Sequence, residues 1–162
     1  MIGGSSRGGE ASRERSRDVE LVVTAVVDSA FHLHRELGPG LLESVYETVL
    51  TRMLEERGLR VERQKAVSFE YQGMHFDDAV RVDLLVEGVL VIELKSVEQA
   101  SPIHLKQLLT YLRLLDLRVG LLINFGAATF KQGIRRVVND RDVFAPSRLR
   151  VRQASPRAPH DV

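Results

Sequence analysis

The stretch "RVDLLVEGVLVIELKSVE", residues 81–98, is two runs of strand-type apolar residues that meet at Glu87-Gly88, yet it holds Asp83, Glu93 and Lys95. An ionised group left without a partner is costly to take out of water, so these three residues need a reason. If residues 86–88 form a three-residue turn with Gly88 in the left-handed conformation, Leu85 faces Val89 and Asp83 faces Val91. Side chains then sort by parity. Val80, Val82, Leu84, Val86, Leu90, Ile92 and Leu94 line one apolar face, while Arg81, Asp83, Leu85, Val89, Val91, Glu93 and Lys95 line the other, its four charges gathered away from the turn. A two-residue turn would split Asp83 and Glu93 between faces, so the chemistry depends on the register. Two carboxylates and an ammonium at one end of a sheet suit a hard divalent cation: clustered oxygen ligands, with a positive group near enough to hold a phosphate or a water. The same four charges would also be satisfied as a cross-strand network of ion pairs on a solvated face.

The elements that must position these residues follow from hydrophobic periodicity. From Asp18 to Leu37, apolar Val22, Val26, Ala30, Leu33 and Leu37 recur at helical spacing, until Gly38-Pro39-Gly40 breaks the pattern. A second helix is predicted from Leu41 to Arg57, capped by Gly58. Glu43 lies at the edge of its stripe beside Tyr46 and Leu50, from where its carboxylate could reach across the sheet; a first-turn glutamate also simply suits the helix dipole. Strands are predicted over Arg60–Tyr71, Ala79–Val86 and Val89–Val97. Ser101-Pro102 then opens a third helix that runs to about Asp116, with Gln107 and Tyr111 one turn apart beside its leucine stripe. "RVGLLINFG" reads as a buried strand and "GIRRVVN" as a short final strand, with a helix as the alternative. There is no internal repeat.

Composition sets the outer bounds. The 162 residues suit one domain with tails, and a hydrophobic content of 44% is ordinary for a globular core. Residues 1–17 and 140–162, rich in Gly, Ser, Arg and Pro, read as mobile tails around a domain at 18–139. With 23 Lys+Arg against 22 Asp+Glu the net charge is +1, so no global positive field marks a polyanion-binding protein and any such site must be local. The absence of cysteine excludes disulfides, thiolate metal sites and thiol nucleophiles. No apolar run approaches the ~18 residues of a membrane span, and the N-terminus lacks the apolar core of a secretory signal. A cytoplasmic, soluble protein is expected.

Asp83, nine residues, then Glu93-Leu94-Lys95 resembles the D…(D/E)xK signature of the PD-(D/E)XK nuclease superfamily, and Gln107 to Tyr111 is similar to the QxxxY motif of its RecB-like branch. "HRELGPG", "GLLESVY" (Gly40, Glu43, Tyr46), "VIELK", "QLLTYL" and "GLLINFG" together resemble the GxxExxY family of that superfamily, from about Val19 to Asn139. Val82 stands where the signature has proline, a position that supplies no ligand. The resemblance implies an α/β, restriction-endonuclease-like αβββαβ core with a mixed central sheet flanked by helices. It implies a site in which Asp83, Glu93, the backbone carbonyl of Leu94 and Glu43 hold Mg²⁺ or Mn²⁺. Lys95 would orient or deprotonate the attacking water and stabilise charge on phosphorus, and Gln107 and Tyr111 would position the nucleic-acid backbone or support the site. His34, His75 and His104 are possible additions, each of which also reads as an ordinary surface histidine. The implied activity is divalent-metal-dependent hydrolysis of phosphodiester bonds, in DNA. The competing reading is a catalytically silent nuclease-fold module that binds nucleic acid or a protein partner. Near-neutral charge further implies weak intrinsic binding, and hence contacts added by a homodimer or a partner protein.

Overall fold

Val22, Val23, Val26, Ala30 and Leu33 are buried along one side of α1 (Arg7–Leu37), the first element of a computed structural model of the chain. Residues 7–140 and 149–151 are described, with side chains described within 18–140. The helix begins at Arg7 rather than Asp18, so residues 7–17, expected as a mobile tail, are helical. Its last expected stripe residue, Leu37, stays exposed at the Gly38-Pro39-Gly40 break. In α2 (Glu43–Glu56), Tyr46, Leu50 and Leu54 step by four and are fully buried, which seats this helix beside α1.

Both helices cover one face of a single six-stranded sheet ordered β5-β4-β3-β2-β1-β6. The strands are β1 (Val61–Tyr71), β2 (Met74–Val86), β3 (Leu90–Lys95), β4 (Val119–Asn124), β5 (Ile134–Val138) and β6 (Leu149–Val151). The other face takes α3 (Pro102–Leu115), which carries the crossover between the parallel strands β3 and β4. Every residue of β4 is buried, as a strand sandwiched between two helical layers requires. The expected order of helix, three strands, helix and strand is realised by α2, β1, β2, β3, α3 and β4. One helical turn went unforeseen, α4 (Phe130–Gly133), which leads into the short strand β5 expected at "GIRRVVN". Strand β6 pairs with β1 and falls within the expected C-terminal tail; residues 141–148 and 152–162 of that tail, like residues 1–6, lie outside the described residues.

Strand β2 is longer than its apolar pattern suggests. It starts at Met74, after a two-residue turn of left-handed Gln72 and Gly73 that pairs Tyr71 with Met74. Residues 74–79 alternate only from Met74 to Asp77 and are exposed throughout, so no buried face marks them as strand.

The β2–β3 hairpin also differs from expectation in an instructive way. Glu87 (φ 52°) and Gly88 (φ 66°) are both left-handed, and the Val89 N–H donates to Val86 O at 3.0 Å, leaving Val89 as an extra residue. Leu84 faces Ile92, Leu85 faces Val91 and Val86 faces Leu90, a register two residues away from the expected one. An even slip preserves parity. Continued by one rung, the observed register sets Asp83 against Glu93 instead of Val91.

Parity fails further along. Leu84, Val86, Leu90, Ile92 and Leu94 pack beneath α1 and α2, whereas Val80 and Val82 join Leu85 and Val91 against α3, so the single apolar face expected of them does not exist. Strand β1 changes sides too, with Val61 in the first layer and Val67 in the second. The reversal falls on one rung, formed by Asp83 and Gln64, where the Gln64 backbone is left-handed at φ 49°.

Candidate active site

The turn before α2 fixes Glu43 over the carboxyl end of β3. Gly40, at φ 111°, takes a conformation that a residue with a Cβ rarely adopts. The Tyr46 ring lies buried in parallel contact with Phe125, ring centroids 4.4 Å apart. Its hydroxyl donates to Gly38 O and accepts from the Leu41 N–H, holding the turn from inside. From the sheet side, the Ser96 hydroxyl donates to Leu41 O at 2.6 Å.

The end of β3 is itself clamped to β4. Phe125 N–H donates to Lys95 O at 2.8 Å, while the buried Asn124 amide accepts from the N–H groups of Val97 and Gly126 and donates to Val97 O at 2.8 Å. Gly126 is needed for this approach, since a Cβ there would lie 2.3 Å from Val97 O. Asn124 and Gly126 of "GLLINFG" therefore serve to hold Lys95 and its neighbours in place, while Gly120 leaves room for the Leu108 side chain of α3.

On this frame Asp83 and Glu93 come together. The Leu94 N–H donates to Asp83 Oδ2 at 2.7 Å, and Lys95 Nζ lies 3.6 Å from Glu93 Oε1. Glu93 is only 5% exposed, and its Oε2 is buried without a hydrogen-bond partner. Burial, followed by the charge of Asp83, pushes the Glu93 carboxyl up to about 8, against the pull of Lys95. Burial also raises Asp83, opposed by the Leu94 N–H and by Lys95. Glu43 is raised by burial, and it feels both Lys95 and Asp83. From the opposite layer, Tyr111 is raised by burial and by the charges of Glu93 and Asp83, while a bond from the exposed Gln107 acts the other way. Thus Glu43, Asp83, Glu93, Lys95 and Tyr111 share one electrostatic neighbourhood. Leu94 contributes its backbone there, its side chain being buried beneath α1 and α2.

Other expected residues fall elsewhere. Arg81 is exposed and donates to Gln64 O at 3.4 Å, so it does not join a network with the two carboxylates. His104 caps α3 by accepting from the Ser101 N–H, His34 bonds Ala127 O, and His75 faces Glu70. Two residues join the site unannounced. Glu47, one turn after Glu43, is 7% exposed and receives Arg63 Nε at 3.0 Å and Gln64 Nε2 at 2.7 Å. Gln64 Nε2 also lies 3.4 Å from Asp83 Oδ1. Among the described residues, no group of three or more His, Cys, Asp or Glu side chains is already gathered as a metal cage. A cavity of about 660 Å³ opens alongside. Its wall includes Leu122 and Asn124, the cross-strand partners of Glu93 and Lys95, but none of Glu43, Asp83 and Glu93.

A mixed sheet approached through α2, with Asp83 and Glu93-Leu94-Lys95 on neighbouring strands and α3 as the crossover, defines a restriction-endonuclease-like domain. Residues 20–137 match the model of the PD-(D/E)XK nuclease superfamily, and the chain belongs to that superfamily. Neither a curated protein nor a solved structure matches it. Nucleases of the superfamily generally use divalent metals. Among the described residues, no helix is long and apolar enough to cross a membrane.

Proposed function

We propose that the protein is a divalent-metal-dependent nuclease that hydrolyses phosphodiester bonds in DNA. The observation that carries this reading is the half-buried Asp83 against the buried Glu93, beside Lys95, with Glu93 Oε2 lacking a hydrogen-bond partner. Two carboxylates pressed together in a desolvated site are unfavourable unless a proton or a cation lies between them. The available donors are all oxygen, which suits Mg²⁺ or Mn²⁺. Asp83, Glu93, the Leu94 carbonyl and Glu43 would hold the ion. Once bound, such an ion neutralises charge on phosphoryl oxygens and acidifies water.

The remaining groups have roles of their own. The Lys95 ammonium would balance charge growing on the phosphoryl oxygens, in a position with little access to solvent. Tyr111, held by Gln107, would fix the substrate backbone from the α3 side. The adjoining cavity offers room for the strand beyond the scissile bond. The segments Gly40–Tyr46 and Gln107–Tyr111 support placement in the GxxExxY family and the RecB-like branch.

The test is cleavage of single-stranded DNA, duplex DNA and RNA with Mg²⁺ or Mn²⁺, comparing the natural protein with Asp83→Asn and Glu93→Gln. Metal-dependent cleavage of DNA that vanishes in both variants is expected. Cleavage that persists in both, or that ignores chelator, would overturn the proposal. A catalytically silent module that binds nucleic acid is the second reading, favoured by the lack of a preassembled metal cage among the described residues. It requires binding of DNA without turnover in the natural protein and in both variants.

A further inference from the structure

Gln64 stands in the middle of β1 with a left-handed backbone, φ 49°. The other non-glycine residues with positive φ have local reasons: Gln72 and Glu87 make hairpin turns, Asp116 ends α3, and the Asp78 N–H bonds Ser68 Oγ where the ladder shifts register. Gln64 has no such reason, because the β1–β2 ladder keeps the same register on both sides of it, Arg63 facing Leu84 and Lys65 facing Val82. A side chain with a Cβ in this conformation carries a steric cost and persists only where its surroundings hold it there.

What holds it is its own amide. The nitrogen has two protons and faces two carboxylates, Glu47 Oε2 at 2.7 Å and Asp83 Oδ1 at 3.4 Å. Glu47 is a firm anchor, nearly buried and gripped from its other oxygen by Arg63 Nε. Asp83 is thereby addressed at both oxygens, Oδ1 by Gln64 and Oδ2 by the Leu94 N–H. The rung on which this happens is also the one where both strands change sides.

We infer that Gln64 is a positioning residue, which holds the Asp83 carboxylate in the orientation from which it and Glu93 bind a single divalent cation. The inference rests on the metal-dependent reading given above. Gln64 does not touch the ion. It acts through Asp83, with Glu47 as the fixed point against which the amide is braced, and the unfavourable backbone of β1 is retained because the amide reaches both acceptors only from there.

Gln64→Gly and Gln64→Asn test this, since both residues accept a left-handed backbone. The first removes the amide, and the second shortens its arm by one methylene so that it cannot span both carboxylates. Full-length natural protein and both variants are titrated with Mn²⁺ by isothermal calorimetry, and each is melted without metal. Loss of an outer-sphere partner weakens metal binding by roughly 10–100-fold, and that loss is expected in both variants, including any whose metal-free melting temperature matches the natural protein. If either folded variant binds Mn²⁺ as tightly as the natural protein, Gln64 merely satisfies Glu47 and the inference fails, whatever the melting temperature does. If the natural protein itself takes up no Mn²⁺, the metal-dependent reading fails and this one falls with it. The first titration separates the two failures.

Discussion

The Asp83 carboxylate accepts the Leu94 N–H at 2.7 Å, which ties a β2 side chain to the backbone between Glu93 and Lys95. One oxygen therefore has a structural duty, while in the proposed reaction the charge would serve the cation, and substitution can separate the two. Asp83→Asn keeps an acceptor for Leu94 and removes the charge; it should melt close to the natural protein and lose at least ~100-fold in metal-dependent hydrolysis. Asp83→Ala should lose the same activity and, in addition, about 1–3 kcal/mol of stability, because a partly buried N–H is left unpaired. Denaturant unfolding of the two variants side by side measures the difference. Equal stabilities would mean that the Leu94 bond contributes nothing.

Glu93 makes the fold sensitive to pH. Its carboxyl, ordinarily at 4.5, is lifted to about 8 by burial and then by Asp83. Between those values the folded state binds more protons than the unfolded chain, so stability declines as pH rises through this window, and the full cost is present above it. The upward shifts of Asp83 and Glu43 have the same sign. The metal-free protein should thus melt higher at about pH 5.5 than at about pH 8.5. Glu93→Gln should flatten that slope and gain about 1–2 kcal/mol at the alkaline end, roughly 2–8 °C, while abolishing hydrolysis. Thermal melts across pH provide the check, and a natural protein that melts higher at the alkaline end would contradict the sign.

The same proton gives metal binding a signature. Near neutral pH Glu93 must release it before its oxygens can serve a cation. Mn²⁺ binding should release about one proton per site at pH ~7 and become tighter as pH approaches 8. Calorimetry in buffers of different ionisation enthalpy counts that proton. Metal should also raise the melting temperature and chelator should reverse the gain. Binding without proton release would place the ion away from Glu93.

How far the sequence discloses this site depends on which physical signal each residue carries. Asp83 and Glu93 share a face in the expected hairpin and in the observed one because a two-residue slip leaves parity unchanged. The apolar residues flanking them are harder to read: Val80 and Val82 sit on the other side from Leu84 because β1 and β2 both reverse at the rung of Gln64 and Asp83. Nothing in a glutamine between arginine and lysine announces a left-handed backbone, so the reversal is invisible to alternation rules. Glu47 did carry a signal, since it lies one helical turn from Glu43 and so shares its face. Residues 74–79 carry only a four-residue alternation, Met74 to Asp77, which breaks at Asp78 and lies wholly exposed. The start of α1 was hidden for a related reason: residues 7–17 are Gly, Ser, Arg and Glu almost throughout and have no apolar stripe to detect.

Glu43 depends on Tyr46, and that dependence can be tested by removing a single oxygen. Tyr46→Phe retains the ring against Phe125 but loses the bonds to Gly38 O and from the Leu41 N–H, which shape the turn immediately before Glu43. Two backbone groups lose a buried partner, at a cost of about 1–3 kcal/mol. If the turn positions Glu43 for the cation, Mn²⁺ affinity should also fall, by roughly the 10-fold expected when an outer support is lost. Glu43→Gln sets the scale, because it removes the carboxylate while leaving the turn intact. In a variant where the turn matters only through Glu43, combining Tyr46→Phe with Glu43→Gln should weaken metal binding no further than Glu43→Gln alone. Additive losses in that double-mutant cycle would mean that Tyr46 supports the site by another route, through Phe125 and the β4 end that clamps Lys95.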